Sequence, residues 1–266
     1  MAISSCSKLA EFPFAAHRNL IPWLEPGEPF PPVSQALNDP DGLLAAGAEL
    51  TPARIIQAYR AGIFPWFNEN QPVLWWSPNP RMVLFTSELR ISHSLRKKVA
   101  RLALRPIEEF EVRCDSAFER VMRACAAPRA GQEGTWISHA MVEAYLGLHH
   151  LGFAHSVETW IENQLVGGLY GLAIGNMFYG ESMFSKVSDG SKIALLELVR
   201  LLHEHGIPMI DCQQQTAHLA SLGARPISRE SFVDRVCSLV EGPGITAWPK
   251  KLPEERPVAH NRICIA

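Results

Sequence analysis

The chain has 266 residues, of which 47% are apolar and 20% are charged, and its formal net charge is −2. This length can form one large domain or two modest ones with a sizeable core. No apolar run approaches the roughly 20 residues that cross a bilayer, so we expect no transmembrane helix and no membrane partner. The six cysteines form no CxxC pair, which argues against a zinc site or a disulfide framework and suits a reducing cytosol. A polyanionic partner would have to bind a local basic patch, because the whole chain is slightly acidic.

The first part of the chain combines a Pro-rich start, a short helix and a group of aromatic residues. Residues 1–30 lack periodicity, and we interpret them as an extension. Thr51-Pro52 predicts the start of a helix, and Gly62 predicts its end. Large aromatic residues then stand among prolines rather than in a periodic element: Phe64, Trp66, Phe67, Trp75 and Trp76. They can form an aromatic core, or a tryptophan among them can offer a flat face to a nucleic-acid base.

Residues 88–105 predict an amphipathic helix with a strongly basic side. Its apolar positions are Ile91, Leu95, Val99 and Leu102. A single acidic residue, Glu88, stands against six basic ones: Arg90, Arg96, Lys97, Lys98, Arg101 and Arg105. Such a run usually forms a solvated face. In a slightly acidic protein it is also the local patch that a phosphate backbone would require.

The second part of the chain predicts a sheet with helices around it. A helix ends near Cys125, and another extends from the cap Ser138 to Gly152. The elements that follow are strands at 154–162, 164–174 and 176–184, a helix at 188–206, a strand at 207–213 and two helical pieces. This order predicts an α+β fold with one mixed sheet flanked by helices. The parallel step should lie between the last two strands, across the helix that connects them.

Two polar residues end the strand 207–213. Alternation places Met209, Asp211 and Gln213 on one face, at the carboxyl end of a parallel strand, where ligands bind in open sheets. A carboxylate and an amide at this place can hold an amine and direct its protons. They can also simply cap the helix that follows.

A third polar residue, Glu181, stands inside the apolar strand 176–184, between Gly180 and Ser182. A charge among apolar neighbours is costly unless it is paired, although the residue can also face outward from a half-exposed strand. Strict alternation places Phe178 and Glu181 on opposite faces. Both can line one cleft only if a β-bulge lies near Gly180.

Several familiar motifs are missing from the sequence. Neither GxxxxGK[ST] nor GxGxxG occurs, and GESMF lacks the closing glycine of a nucleophile elbow. The histidines do not form HExxH, so we expect no metal site.

A series of short motifs instead occurs in a specific order. They are GIFPWF (62–67), LWWSP (74–78), GTWIS (134–138), HSVETW (155–160), GGLYG (167–171), FYGESMFS (178–185), IDCQ (210–213) and HLASLGA (218–224). Over about residues 27–240 the chain resembles leucyl/phenylalanyl-tRNA–protein transferases. The larger domain of that family is similar in fold to GCN5-related acyltransferases. The resemblance implies four parts: an extension (1–30), a smaller N-terminal α/β domain with the basic helix (31–110), an acyltransferase-like catalytic domain (111–240) and an irregular tail (241–266).

The resemblance also implies a reaction. Leu, Phe or Met moves from a charged tRNA to the N-terminal Arg or Lys of an acceptor protein and marks it for degradation in the cytoplasm, without ATP, a metal or another cofactor. Asp211 and Gln213 match residues that engage the attacking amine, and Glu181 matches a polar site residue. Trp66 and Trp136 match aromatics around the terminal adenosine. The residues that match the amino-acid pocket are Leu169, Phe178, Leu195 and Leu198.

The basic helix matches the acceptor-stem contact of the family in place rather than residue for residue. The expected tRNA-binding residues are Arg90, Arg96, Lys97, Lys98 and Arg101, whereas His93 stands where a cation is expected.

Two other functions remain as alternatives. A small-molecule N-acyltransferase that uses acyl-CoA would need a glycine-rich pyrophosphate loop after strand 176–184, but the sequence there, SKVSDGSK, has a single glycine. A tRNA-binding protein without catalysis would leave Asp211 and Gln213 without a task.

Overall fold

The structure is a computed structural model that describes residues 21–127 and 137–252. The fold is α+β, with two mixed sheets and seven α-helices within these residues. The helices are α1 (Pro52–Arg60), α2 (His93–Leu102), α3 (Phe118–Ala126), α4 (His139–His150), α5 (Gly190–Glu204), α6 (Ala217–Ser221) and α7 (Arg229–Leu239). The strands are β1 (Trp23–Leu24), β2 (Leu43–Gly47), β3 (Phe64–Pro65), β4 (Leu74–Trp76), β5 (Arg81–Phe85), β6 (Phe110–Cys114), β7 (Ala154–Ile161), β8 (Gln164–Ile174), β9 (Met177–Ser185), β10 (Met209–Gln213), β11 (Arg225–Ile227) and β12 (Lys251–Leu252). Among the described helices, none is long and apolar enough to cross a bilayer.

The smaller sheet has the strand order β1-β2-β4-β3. Its centre is Trp75, which is fully buried and donates a hydrogen bond to the Gly47 carbonyl at 2.9 Å. As predicted, α1 begins after Thr51, whose hydroxyl accepts a hydrogen bond from the Arg54 amide. β1 pairs with β2 in parallel, so residues 23–24, which the sequence assigns to the extension, belong to this sheet.

The larger sheet has eight strands in the order β11-β5-β10-β9-β8-β7-β6-β12. β7, β8 and β9 form the predicted antiparallel hairpins, and β9 and β10 form the predicted parallel step across α5. β5 comes from the residues expected in the smaller domain, yet it pairs with β10 and β11 in this sheet. The sheet therefore does not follow the division expected at residue 110.

Hydrophobic clusters cover both faces of the larger sheet. On one face, α1, α3 and α4 contribute Tyr59, Val121 and Tyr145 to the core. On the other face, α5 and α2 contribute Leu198 and Leu95. Full burial of each such aliphatic side chain stabilises the fold by roughly 1.5–3 kcal/mol.

The basic helix is shorter than predicted. α2 begins at His93, because the Ser92 hydroxyl accepts a hydrogen bond from the Leu95 amide and caps the helix there. The amide of Arg90 is bound to the Leu222 carbonyl, which holds this residue in the link before the helix. The prediction of a helix over 88–105 is thus wrong at both ends.

Part of the predicted irregular tail is structured. β12 pairs with β6, and the Trp248 ring stacks on His155 with centroids 4.0 Å apart. Both contacts hold residues 248–252 against the larger sheet.

Candidate active site

The larger sheet opens between its two parallel strands. β9 and β10 pair at Phe178–Ile210 and at Tyr179–Asp211. Beyond these partners both strands continue, but no further pairing joins them in the described sheet. The opening lies at the carboxyl ends of parallel strands, where ligands bind in open sheets.

A β-bulge in β9 turns Glu181 towards this opening. Tyr170 of β8 pairs with Ser182 of β9. The next residue, Gly171, pairs with Gly180, so that Glu181 is left without a partner in the register. An extra residue of this kind breaks the alternation of side chains. The predicted bulge near Gly180 is confirmed.

A cavity of about 130 Å³ occupies the opening. The four residues that match the amino-acid pocket line it together with others, and its apolar wall includes Leu84, Leu169, Phe178, Leu195, Leu198 and Ile210. Its polar lining includes Glu181, Gln213 and His218 of α6. The cavity is therefore lined mostly by apolar side chains and also contains a few hydrogen-bonding groups.

The Glu181 carboxylate is held by three side chains. Its Oε1 accepts hydrogen bonds from the Tyr59 hydroxyl at 2.6 Å and from Gln213 Nε2 at 3.0 Å. Its Oε2 accepts one from the Tyr145 hydroxyl at 3.1 Å. The two tyrosine hydroxyls also contact each other at 2.9 Å. Burial, followed by the charge of Glu181, raises the pKa of both tyrosines, which therefore stay protonated.

A count of protons shows that the network has room for a proton on Glu181. The two tyrosines and the carboxyl make three oxygen–oxygen contacts, but the two hydroxyls supply only two protons. A protonated Glu181 supplies the third. Burial raises the pKa of Glu181 to about 7, against the opposing effect of the tyrosine hydrogen bonds. The group can thus hold or release a proton near neutral pH.

Asp211 lies outside the cavity wall, in a buried ion pair with Arg81. Oδ1 accepts a hydrogen bond from Arg81 Nε at 2.8 Å, and Oδ2 accepts one from Nη2 at 2.7 Å. Both side chains are 0% exposed. The guanidinium also lies over the rings of Phe64 and Phe232, 4.7 and 4.5 Å from their centroids. Such a bidentate pair leaves little freedom to the carboxylate.

Gln213 does not share a face with Asp211, contrary to the expected alternation. Its φ is +60°, and the β10–β5 register is irregular between the two residues. The cause is local: the Gln213 amide donates a hydrogen bond to Asp211 Oδ1 at 2.8 Å. This bond helps to hold the left-handed backbone that turns the Gln213 side chain towards Glu181.

One of the two tryptophans expected around the adenosine belongs to the cavity wall. Trp66 lines the cavity and lies edge-on to Trp76, with ring centroids 5.5 Å apart. Trp136 lies outside the described residues.

The expected tRNA-binding residues fall into two groups. Arg90, Arg96, Lys97 and Arg101 are exposed, and none of them forms an ion pair within residues 21–127 and 137–252. Lys98 is half-buried and binds Asp189 Oδ2 at 3.2 Å and the Ser188 carbonyl. Lys98 therefore connects α2 to the segment before α5.

Sequence reasoning missed Tyr59, Tyr145 and Arg81. Both tyrosines lie on the apolar sides of predicted helices, where they are indistinguishable from ordinary core residues. Arg81 offered a better signal, because a charge directly before the apolar run MVLF requires a partner if the strand is central.

Comparisons with known proteins agree on one family. A model of the leucyl/phenylalanyl-tRNA protein transferases matches residues 83–237, and a model of their N-terminal domain matches residues 48–79. The chain is 56% identical to the leucyl/phenylalanyl-tRNA–protein transferase of Janthinobacterium sp. (strain Marseille) over 235 residues, 86% of this chain and 96% of that protein. It is 59% identical to the protein of the same name from Chromobacterium violaceum over 214 residues, 80% of this chain and 89% of that protein.

A solved structure gives a weaker match. A conserved protein of unknown function from Bacteroides thetaiotaomicron aligns over 56% of this chain and 56% of its own, with 14% identity and a TM-score of 0.39. This similarity is too low to support a shared fold.

Proposed function

Since the chain belongs to the leucyl/phenylalanyl-tRNA protein transferase family, we propose that it moves Leu, Phe or Met from a charged tRNA to the N-terminal Arg or Lys of acceptor proteins. The product carries a new peptide bond and a hydrophobic N-terminus that marks it for degradation in the cytoplasm. The observation that carries this proposal is the apolar cavity with Glu181 and Gln213 on its polar wall.

The cavity suits the aminoacyl side chain. Its apolar wall can accept Leu, Phe or Met because an apolar pocket distinguishes such side chains by volume only coarsely. Leu169, Phe178, Leu195 and Leu198 would contact the side chain, and the ester carbon would then lie towards the polar wall. Trp66 and Trp136 would contact the terminal adenosine by stacking.

The chemistry requires only alignment and the transfer of protons. The α-amino nitrogen of the acceptor attacks the ester carbon, a C–N bond forms, and the C–O bond to the tRNA ribose breaks. The amine loses a proton, and the ribose oxygen gains one. Orientation of two bound reactants can supply much of the rate.

Glu181 is the group best suited to take the proton of the amine. Its pKa of about 7 lies close to that of an α-amino group, roughly 8, so the transfer is nearly balanced in free energy. Gln213 would hold the nitrogen through its amide oxygen, since its Nε2 already donates a hydrogen bond to Glu181. Asp211 would act through Gln213 as a positioning residue, because Arg81 binds both of its oxygens.

Two further features support the assignment. The opening between parallel β9 and β10 is consistent with a GCN5-related acyltransferase fold for the larger domain, and the exposed basic residues of α2 offer a phosphate-binding face. The sequence SKVSDGSK between β9 and α5, with one glycine, argues against acyl-CoA as the donor.

The test is a transfer assay with radiolabelled Leu-tRNA and an Arg-initiated peptide. We expect labelled peptide with the wild type and at least a hundredfold slower transfer with Glu181→Gln, since removal of a general base typically costs 10²–10⁴ in rate. An alanine-initiated peptide is the matched control. No transfer by the wild type, or equal transfer by the variant, would contradict the proposal.

A further inference from the structure

A compact group of charges lies outside the cavity wall. Lys98 from α2 and Lys192 from α5 both bind the carboxylate of Asp189, at 3.2 and 3.0 Å. One negative charge thus faces two positive charges, so the group carries a net charge of +1. All three side chains keep access to solvent, between 22% and 38% of their surface.

The group is close to where the ester would bind. Lys192 precedes Leu195 by one helical turn, which places both on the same side of α5, and Leu195 lines the cavity. His218 of α6 also lines the cavity. Burial, and after it the ammonium of Lys192, lower the pKa of His218, so the charge of Lys192 acts on a residue of the cavity wall.

A substrate whose ester carbon occupies the cavity extends outward through its ribose. The nearest negative charge on that substrate is the phosphate on the 5′ oxygen of the same ribose, a few bonds from the ester. Among the described residues, the cavity wall contains no lysine and no arginine. The positive charge that is left incompletely compensated where Asp189 binds two lysines could attract this phosphate.

We propose that Lys192, with Lys98 behind it, binds the phosphate that precedes the terminal nucleoside of the charged tRNA. Asp189 holds both ammonium groups in place and weakens their attraction for anions. The subsite rests on the proposed function, since it requires an aminoacyl nucleotide in the cavity. It is separate from the exposed face of α2, formed by Arg96, Lys97 and Arg101, which would bind phosphates farther along the tRNA.

The test compares two minimal donors, 3′-O-leucyl-adenosine and its 5′-monophosphate, with an Arg-initiated peptide as acceptor. For the wild type we expect a higher kcat/KM with the monophosphate. Lys192→Met should lower kcat/KM about fivefold for the monophosphate, the effect of one ion pair at about 4 Å in water, and leave the adenosine donor unchanged. Asp189→Asn should increase the advantage of the monophosphate, and asparagine tolerates the φ of +66° at this position.

Lys186→Met is the matched control. This lysine is exposed and lies 6.0 Å from the centre of the Phe184 ring, so its loss should affect both donors equally or not at all. If Lys192→Met slows both donors to the same extent, or if the phosphate gives the wild type no advantage, the subsite is refuted. If the wild type transfers from neither donor and not from Leu-tRNA, the proposed function itself fails.

Discussion

The ion pair between Arg81 and Asp211 provides the sharpest test of the structure. Both side chains are 0% exposed, so Asp211→Asn leaves a buried guanidinium, in contact with two aromatic rings, without its counter-charge. Loss of one partner from a buried pair costs about 3–5 kcal/mol. This is a large part of the 5–15 kcal/mol that is typical of a folded domain.

The assay is urea unfolding at pH 7.5, followed by tryptophan fluorescence, with the same measurement on Arg81→Met and on the double variant. The double variant should be more stable than Asp211→Asn alone, because it removes the unpaired charge as well as the pair. The matched control is Glu88→Gln, which breaks an exposed pair with Arg225, where the side chains are 41% and 50% exposed. Such pairs contribute about 1 kcal/mol or less.

If Asp211→Asn lowers the free energy of unfolding no more than Glu88→Gln does, the pair between Arg81 and Asp211 is not buried. If the cost is as large as expected, a loss of transfer activity in Asp211 variants does not by itself indicate a catalytic role. Activity should then be compared in buffer without urea, at a temperature at which the variant is folded. A positioning role predicts that Asp211→Asn and Arg81→Met lower kcat similarly, since both release the backbone of Gln213.

Three further predictions concern the proton, the cavity and the basic helix. Between about pH 4.5 and about pH 7, folded Glu181 binds a proton that the unfolded chain lacks, so the free energy of unfolding should fall with rising pH. The fall is at most about 3 kcal/mol, and Glu181→Gln should lack it; an identical pH profile for the variant refutes the raised pKa. Leu198→Phe adds bulk to a cavity of about 130 Å³ and should lower kcat/KM for Phe-tRNA more than for Leu-tRNA; equal losses would place the aminoacyl side chain elsewhere. Replacement of Arg96, Lys97 and Arg101 by Gln should reduce the slope of log Kd against log salt for tRNA by about 2–3, and an unaltered slope would make this face merely solvated.

Much of the framework is encoded in local signals. Thr51 and Ser138 cap the helices that they were expected to cap. Such a cap depends on the local sequence alone, because the hydroxyl accepts a hydrogen bond from the amide of the residue three positions later. The turns between β7, β8 and β9 follow from Asn and Gly. The bulge near Gly180 was expected only on the condition that Phe178 and Glu181 line one cleft. These features require no knowledge of distant parts of the chain.

The chemistry of the site depends on distant parts. Arg81 and Asp211 are 130 residues apart, and Tyr59 and Glu181 are 122 apart. No periodicity in the sequence contains these pairings. The expected alternation at Gln213 failed for the same reason: its amide bonds a carboxylate that is itself fixed by Arg81, and this combination selects a positive φ that local propensity disfavours. Tertiary contacts override the local pattern here.

The carboxylate network also joins the two segments that match separate family models. Tyr59 belongs to the segment 48–79, whereas Tyr145 and Glu181 belong to the segment 83–237. Without the Tyr59 hydroxyl, Oε1 of Glu181 would lose its shortest hydrogen bond. Of the three oxygen–oxygen contacts in the network, only the one between Tyr145 and Glu181 would remain. The N-terminal segment therefore sets the protonation of the proposed base as well as forming part of the cavity wall through Phe64 and Trp66. For this reason Tyr59→Phe should change the pH dependence of transfer. If the N-terminal segment served only to bind tRNA, the same substitution would change only the apparent affinity for tRNA.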